Sequence, residues 1–593
     1  MEDPLMQDFK KEVKNQITEL SEKTFGLTFD GISSLPSGEV ALGMVAIPRQ
    51  TPGYVLTMDV TGKRAETNDY LARLTQKLTT VGVKKSSETY KEQQVTVFVF
   101  PPRENAVEPK ERRAYYTFFQ DVLIAADQLH LLKLIVDRIA DQEGKSLSEV
   151  ESYQVVMKRC IDDIPGETLP AVRWYIEPLD YGESVRELMR SSIAQNRREK
   201  TSIFTILKQQ GFDAILGIGG VVSVMTESQE AVYRTFIHTK KPFERAMRMF
   251  NFPDSTSFDP PDWMPNDLAR CTMVYVDPIA IFDNVGVLVD AVMGDQGVWK
   301  DILDGLEKDP NGPKINVREE LIINLGNRVL GMSRYEKPIT INSESIVVAV
   351  ELKADREQAM SAGVKKLFVS DPEWTVMEHN SFKIWHRIPG DEGDWTPIDI
   401  EGVPDIFGTS KDTGIPGLVD PPPVMSRANA QSDGSNDEQP PMFPEGGVVV
   451  AKGCLFVSSD VEYLKVILDR LDTADESAKT TIRNEVEYKE VDKIFAGMGL
   501  TDKPHFFQFF ARTQETIRPT YEMVRQGRMA QSQALLGKIL NMVSPDDEPG
   551  MRRQMLDGST LPEFAKVQHY FGKVGIYGVS EEKGFFIKGF TVE

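Results

Sequence analysis

The residue types that most often carry chemistry are few in this chain and lie far apart. The six histidines form neither HxH nor HExxH pairs, and the three cysteines share no short spacing. A zinc site or a disulfide framework would need such spacings, so neither is predicted. We therefore assign no catalytic, cofactor-binding or metal-binding residue and expect no cofactor. The residues considered are His130, His238, His379, His386, His505, His569, Cys160, Cys271 and Cys454.

Two glycine-containing segments resemble ligand-binding loops but lack residues that those loops need. Residues 217–220 resemble a dinucleotide-binding turn, yet Val222 stands at a required glycine and the segment continues as a strand. Strand glycines or a β-bulge explain this cluster. Residues 309–320 have the length of a calcium loop, but Lys314 stands at its obligatory glycine. We predict a turn before a helix there.

Adjacent carboxylates and clustered aromatic residues are the remaining candidates. Asp162, Asp163 and residues 546–548 lie close to prolines, a pattern typical of solvated loops. A hydrolase of the glycosidase type would instead take its carboxylates from distant positions. The aromatic runs at residues 174–175 and 506–510 indicate packed sheet rather than a ligand platform.

An internal repeat is the strongest organising feature of the chain. Residues 123–139 align without gaps on residues 455–471, at an offset of 332 and with six of seventeen positions identical. Each copy continues into a helix start centred on a tyrosine, Tyr153 or Tyr488, and each half closes on a hairpin. A period of this length is too long for a solenoid, so it indicates duplication of a whole domain.

Both copies of the repeated segment place a lysine and an aspartate one helical turn apart, so that the two can pair. An arginine follows near the helix end, where positive charge is favoured. Helix stabilisation accounts for both sets without any function. The sets are Lys133, Asp137 and Arg138, and Lys465, Asp469 and Arg470. The first helix should bury the stripe Leu129, Leu132, Ile135, Val136 and Ile139.

Strands occur in adjacent groups with helices between them, which favours an α+β fold over a doubly wound one. We predict two duplicated domains, each a mainly antiparallel sheet with helices packed on it. An amphipathic helix over residues 1–26 precedes a first repeat over 27–240. A Pro-rich and helical bridge over 241–319 leads to a second repeat over 320–593. Within it, an acidic insertion at about residues 389–447 is too polar to order itself.

The composition limits the class of partner. The chain has 593 residues, a net charge of −22 and a pI near 4.9. Nucleic acids and anionic lipid surfaces attract clustered Lys and Arg, so neither is an expected partner. No stretch is long and apolar enough for a transmembrane segment, and the first residues lack the apolar core of a signal peptide.

Five stretches distributed over nearly the whole chain carry a resemblance to other proteins: residues 35–42, 153–160, 210–215, 511–527 and 557–564. They resemble a family of large uncharacterised proteins from planctomycete bacteria, themselves like a bacterial domain of unknown function. The resemblance implies no activity and no site residues. It implies an extracytoplasmic location, since members usually carry a signal sequence. It also implies one more strand upstream of the position of Met1, which the first sheet here should lack.

Together these patterns predict an acidic, soluble, non-catalytic protein that acts as a binding or structural component. Its partner is an unknown protein or small molecule, with no nucleic acid. Two alternatives stay open at this point. One is a hydrolase with a cleft between the repeats, and the other is a carrier that holds an apolar ligand against the sheet.

Overall fold

A computed structural model describes most of the chain as two compact units. Unit 1 comprises residues 1–151, 179–200 and 523–562, and unit 2 comprises residues 152–178, 201–522 and 563–593. The described residues are 7, 11, 34–47, 50–101, 112–141, 146–166, 169–190, 202–226, 229–337, 343–387, 446–472, 480–500, 502–526 and 558–592.

Unit 1 is built on a six-stranded antiparallel sheet. Its elements are β1 (Val40–Ile47), β2 (Gln50–Asp59), α1 (Arg64–Thr80), β3 (Lys84–Tyr90), β4 (Gln93–Phe100), β5 (Arg112–Phe119), β6 (Val122–Ala126) and α2 (Leu129–Asp141). The strand order is β1-β2-β6-β5-β4-β3. Strand residues alternate between the two faces. Leu123 therefore packs with α1, whereas its neighbour Ile124 packs with α2. The sheet has a helix on each face.

Unit 2 is built on a thirteen-stranded antiparallel sheet. Its strands are β7 (Val172–Ile176), β8 (Ile215–Thr226), β9 (Gln229–Thr239), β10 (Arg270–Tyr275), β11 (Leu325–Tyr335), β12 (Glu344–Leu352), β13 (Trp374–His379), β14 (Phe382–Arg387), β15 (Gly447–Ala451), β16 (Cys454–Ser458), β17 (Phe507–Arg512), β18 (Lys573–Glu581) and β19 (Gly584–Val592). The strand order is β13-β14-β15-β16-β12-β11-β10-β17-β18-β19-β9-β8-β7. The predicted α+β class with antiparallel sheets is confirmed.

The helices beyond residue 150 lie between groups of adjacent strands. They are α3 (Glu151–Ile161), α4 (Pro178–Arg190, in unit 1 from Leu179), α5 (Ile203–Gln209), α6 (Pro278–Met293), α7 (Val298–Lys308), α8 (Val317–Glu320), α9 (Glu357–Phe368), α10 (Val461–Asp472), α11 (Val486–Gly497), α12 (Thr513–Thr516), α13 (Arg518–Arg525) and α14 (Phe564–Val567). The two helices predicted in the bridge correspond to α6 and α7.

Six consecutive strands of the second sheet repeat the order of the first. The series β11-β12-β16-β15-β14-β13 corresponds to β1-β2-β6-β5-β4-β3. Helices α2 and α10 follow the equivalent strands β6 and β16. They bury matched side chains, Leu132 and Val136 in one and Leu464 and Leu468 in the other. Both repeated helices thus pack beside strands of the same order, which supports the predicted duplication.

The predicted apolar stripe of α2 needs a correction at both ends. Ile139, in the last turn, is 39% exposed, whereas Leu131, which was left out of the stripe, is 2% exposed. Leu129 and Ile135 are only partly buried against the same cluster. Helix α2 therefore packs through its first three turns, and its last turn extends into solvent.

Strand β10 explains why one sheet has six strands and the other thirteen. It pairs with β11 on one side and with β17 on the other, so it joins the six-stranded series to the terminal hairpin β18–β19. Within the described residues β1 and β7 each pair on one side only. The compact units consequently cut across the predicted repeats, since residues 152–178 and 201–240 lie in unit 2. The boundaries of the two repeats therefore stay a prediction.

The last strands of the two predicted repeats, β9 and β19, pair with one another within unit 2. Phe236 of β9 packs with α3, and Phe590 of β19 packs against Phe495 of α11. Phe236 lies opposite Phe586, Phe590 lies opposite Val232, and Arg234 lies opposite Lys588. This register is symmetric about the Arg234–Lys588 pair, as in a two-fold contact between identical subunits.

Two predicted segments fall outside the described residues. Of the helix predicted over residues 1–26, only Gln7 and Lys11 are described, and the acidic insertion is undescribed over residues 388–445. Among the helices that are described, none is long and apolar enough to cross a membrane.

Candidate functional site

A polar cleft of about 450 Å³ opens in unit 2. It lies where β11 and β12 meet the turn between β15 and β16. Its lining carries three cations against two carboxylates, in a chain whose net charge is −22. The charged and aromatic residues of the lining are Asp259, Trp263, Arg328, Glu351, Lys452 and Arg483.

The β15–β16 turn fixes the first cation. Lys452 and Gly453 form a two-residue turn with φ values of 47° and 77°, the left-handed conformations of a type I′ turn. The Gly453 carbonyl accepts from the Leu352 N–H at 2.7 Å, and the Gly453 N–H donates to Glu357 at 2.8 Å. Because the turn is held from both sides, the exposed Lys452 ammonium stands at the rim of the cleft. Lys452 has no carboxylate partner among the described residues.

The other two cations are tied to the walls. Arg328 is 11% exposed and donates to Glu351 at 3.0 Å and to the backbone carbonyl of Asp259 at 2.6 Å. Its Nε is buried and has no acceptor in the described part of the chain. Arg483 pairs with Asp262 at 3.3 Å, with both side chains about half exposed. The two guanidinium groups therefore have fixed positions at the cleft.

Trp263 supplies the apolar wall. Its ring packs edge-on against Phe456 at 5.2 Å, and its carbonyl accepts from Arg470 Nε at 3.0 Å. Cys454 also lines the cleft, but burial raises the pKa of its thiol to about 12. A thiol in this state is protonated near neutral pH and is a poor nucleophile. The cleft thus combines anchored cations with an aromatic surface and is suited to binding.

The equivalent turn of the first repeat differs in its residues. The turn between β5 and β6 is equivalent, with Phe119 paired to Val122 as Ala451 is paired to Cys454. In that turn Gln120 occupies the position equivalent to Lys452. The turn lysine is therefore present in the second repeat only, whereas in the first repeat Arg64 donates to the Gln120 carbonyl.

A second charged cluster lies at the β9–β19 contact. Arg234, 3% exposed, and Lys588, 11% exposed, both approach Asp163 Oδ2, at 2.8 and 2.7 Å. Arg159 pairs with Glu581 at 2.7 Å and stacks its guanidinium over a phenylalanine ring. The cations of this cluster are directed at carboxylates of the protein itself, so its geometry is that of an internal structural network.

The glycine cluster at residues 217–220 lies within β8, as interpreted from the sequence, with a register shift between Ile215 and Gly217. His238 Nδ1 lies 3.0 Å from Ser152 Oγ. A Cβ atom at Gly217 would approach Ser152 Oγ to 2.5 Å and the Tyr175 hydroxyl to 2.4 Å. Ser152 and His238 are 7% and 6% exposed, which leaves no access for a substrate. The glycine makes room for a buried polar group.

The segment of residues 309–320 forms a turn and then a helix, as predicted. The Asn311 N–H donates to Asp309 at 2.8 Å, and Lys314 takes a left-handed φ of 54°. Asn316 caps α8 by accepting from the Glu319 N–H at 3.0 Å. The carboxylates of this segment serve the turn and do not converge on a calcium position.

The histidines and cysteines lie at separate places in the described structure. His505 is buried and stacks on Phe258 at 3.8 Å. The three cysteines are buried and unpaired with one another. No group of three or more His, Cys, Asp or Glu among the described residues is arranged to hold a metal ion.

The predicted lysine–aspartate pairs of the repeated helices are wrong. Asp137 instead accepts from Tyr90 at 2.8 Å and pairs with Lys91 at 2.8 Å, while Lys133 pairs with Glu88 at 3.2 Å. The tight β3–β4 turn places its donors against the helix, and these contacts replace the pair along the helix. The second repeat does the same, with the counterpart Asp469 accepting from residues of the β13–β14 turn.

The two repeated arginines also differ from one another. Arg138 is exposed at the end of α2. Arg470 donates to the carbonyls of Trp263, Met264 and Thr480, and thereby fastens the proline-rich segment to α10. Only Arg138 fits the predicted role at a helix end.

Comparison with known proteins adds no assignment. No family model matches the chain, no curated protein matches it, and no solved structure matches it. The resemblance to planctomycete proteins and the location outside the cytoplasm stay expectations.

Sequence reasoning missed the cleft because its charged residues are distant in the chain. Arg328, Lys452 and Arg483 come together only through the order of the strands and the path of the proline-rich segment. One local signal was present, since Lys452-Gly453 between two apolar strands is a hairpin turn. That signal locates the turn but does not reveal its neighbours.

Proposed function

We propose that this protein is a non-catalytic binding protein and that the cleft of unit 2 holds a small anionic ligand. The observation that carries the proposal is the exposed ammonium of Lys452 at the rim, without a carboxylate partner among the described residues, beside two anchored guanidinium groups. A carboxylate or phosphate group would accept from Lys452 and Arg483. A flat or apolar portion of the ligand would lie on Trp263.

The charge balance around the cleft supports this ligand class. Binding an anion in a partly enclosed site is favourable when fixed cations replace the water that it loses. Lys452 and Gly453 already have the constrained backbone of a tight turn, so little ordering is needed on binding. The chain as a whole has a net charge of −22, which repels anions. A local group of cations therefore directs an anion to the cleft.

The test uses benzoate, citrate and inorganic phosphate as probes of the full chain, with isothermal titration calorimetry as the readout. Benzoate should bind with the highest affinity because it supplies both a carboxylate and a flat ring. Lys452→Gln places the residue of the first repeat in the turn and should weaken benzoate binding by about fivefold or more. Trp263→Phe should weaken benzoate but leave phosphate unchanged.

The matched control is Lys489→Gln, an exposed lysine on α11 that does not line the cleft. It removes the same charge from the chain and should leave all three affinities unchanged. If Lys452→Gln and Lys489→Gln act alike, the cleft is not the anion site and the proposal is wrong.

A specific observation favours the apolar carrier as the second candidate. Helix α6 has sixteen residues, most of them apolar, yet Gly286 is its only buried position. An apolar helix of this kind is normally buried on all sides. The exposed Val287, at 45%, gives a test. Val287→Glu should reduce binding of a fluorescent fatty acid and leave benzoate binding unchanged. Equal loss of both would argue against a separate apolar site on α6.

A further inference from the structure

The outer edge of β7 is equivalent to an edge that is filled elsewhere in the molecule. Strand β17 pairs with β18 on one side, and on the other it pairs with β10 from Arg270–Ala511 to Val274–Phe507. Its counterpart β7 pairs with β8, and no other partner occurs among the described residues. The pairing of β17 with β10 therefore shows, within unit 2, how a second strand would pair with β7.

The packing of aromatic rings establishes that β7 and β17 are equivalent. Tyr175 of β7 packs edge-on against Tyr153 of α3, with ring centroids 5.5 Å apart. Phe510 of β17 packs edge-on against Tyr488 of α11, with centroids 5.3 Å apart. Both tyrosines are the ones that the sequence repeat had matched. The two strands thus hold the same place beneath equivalent helices.

Strand β7 exposes large apolar side chains, which an outermost strand usually avoids. Natural sheets protect their outermost strands with charged residues. Strand β3, which ends the sheet of unit 1, follows this rule with exposed Lys84 and Lys85. Strand β7 has one charged residue, Arg173, and exposes a large apolar side chain on each side of it, Val172 at 51% and Trp174 at 37%.

Strand β1 has the same character within its own unit. It is the counterpart of β11, whose outer neighbour is β10, and it is an outermost strand among the described residues. Its eight residues carry no charge, and Leu42 is 76% exposed. Both strands whose counterparts touch β10 therefore expose large apolar side chains at the sheet edge, whereas β3, whose counterpart is itself outermost, exposes lysines.

We propose that the outer edge of β7 binds an extended polypeptide segment as an added antiparallel strand. The segment resembles β10 in chemistry. In β10, Cys271 and Met273 are each 1% exposed, while their neighbours are half-buried. The partner strand therefore needs small or flexible apolar residues at alternate positions and no proline. Backbone hydrogen bonds to β7 supply affinity, and the alternate side chains supply specificity.

A labelled peptide with the sequence of residues 268–277, with serine at position 271, is the probe. Fluorescence polarisation with the full chain should give saturable binding, and a scrambled peptide of equal composition should not bind. Hydrogen exchange measured by mass spectrometry should show new protection confined, within unit 2, to residues 172–176. The scrambled peptide should produce no protection.

Backbone methylation of the peptide separates strand addition from nonspecific apolar contact. Two versions carry N-methyl groups on alternate amides, in the two possible registers. Only one register points its amides at β7, so one version should bind about tenfold more weakly and the other should bind normally. Equal affinities for the two versions would overturn the proposal. Protection at residues 507–512 would also overturn it, because the peptide would then be displacing β10.

Discussion

Arg234 and Lys588 lie directly opposite one another on β9 and β19, and both donate to the same oxygen of Asp163. Two cations at equivalent positions of a pseudo-symmetric contact would repel each other if they were left unpaired. The carboxylate comes from one repeat only, since the residue that matches Asp163 is Met498, directly after α11. A single side chain thus makes this symmetric contact favourable.

Asp163→Asn should destabilise the protein strongly for that reason. It leaves two nearly buried cations without their shared carboxylate, and we expect a loss of about 2–4 kcal/mol in the free energy of unfolding. Urea denaturation followed by circular dichroism measures it. Asp162→Asn, which removes only the exposed pair with Lys158, is the matched control and should change stability by about 0.5 kcal/mol or less. Equal losses for the two variants would show that the Asp163 cluster contributes no more to stability than an exposed ion pair.

Arg470→Ala and Arg138→Ala should differ although the two positions are equivalent in the repeat. Arg470→Ala removes the donor to two carbonyls of the proline-rich segment and to the carbonyl of Thr480, and should lower stability by about 2 kcal/mol. Arg138→Ala affects only an exposed helix end and should lower it by about 0.3–1 kcal/mol. Thermal unfolding of both variants decides the question, and similar losses would argue against a clamp at Arg470.

The buried thiols should make the protein less stable at alkaline pH. Burial raises the pKa of Cys271 to about 12 and that of Cys160 to about 12. The thiols of the unfolded chain ionise near pH ~8.5. The unfolded state therefore releases its protons first, and stability that is complete below that pH is lost as the pH rises toward 12. Urea titrations between neutral and alkaline pH should show a shallower decline in Cys271→Ala than in the parent protein.

Two glycine substitutions should act in opposite directions. A Cβ atom at Gly219 would lie 2.5 Å from the backbone oxygen of Trp174, whereas at Gly305 it would meet nothing within 4 Å. Gly219→Ala should destabilise by about 1–3 kcal/mol, because strand β7 has to move. Gly305→Ala, in the interior of helix α7, should stabilise by about 0.5–1 kcal/mol. A neutral Gly219→Ala would mean that β7 moves aside at little cost.

The part of the fold predicted from sequence rests on short-range patterns. The repeated segment predicted two helices with matched buried faces, and the structure has them on equivalent strands because apolar periodicity directly encodes which face packs. Ile139 was placed on the buried face because periodicity does not reveal where the neighbouring sheet ends. The lysine–aspartate pairs were wrong because tertiary donors at Lys91 and His379 outcompete a partner on the same helix.

The candidate site was beyond sequence reasoning for a different reason. Its cations come from β11, from the β15–β16 turn and from the segment before α11, and their meeting depends on which strands become neighbours. A single sequence carries almost no information on strand order. Strand β10, which joins β11 to β17 within the thirteen-stranded sheet, lies in the segment predicted as a Pro-rich and helical bridge, and its pairing was equally invisible.

The pairing of β9 with β19 has a consequence for synthesis in the cell. Residues 229–239 leave the ribosome long before residues 584–592, which are their partners. At roughly 5–20 residues per second, the edge of β9 stays unpaired for tens of seconds on each nascent chain. That interval is long compared with hydrophobic collapse, so unfinished chains on neighbouring ribosomes could pair through β9 with one another. Efficient production of this protein should therefore depend on a holdase chaperone that shields the β8–β9 hairpin until translation ends.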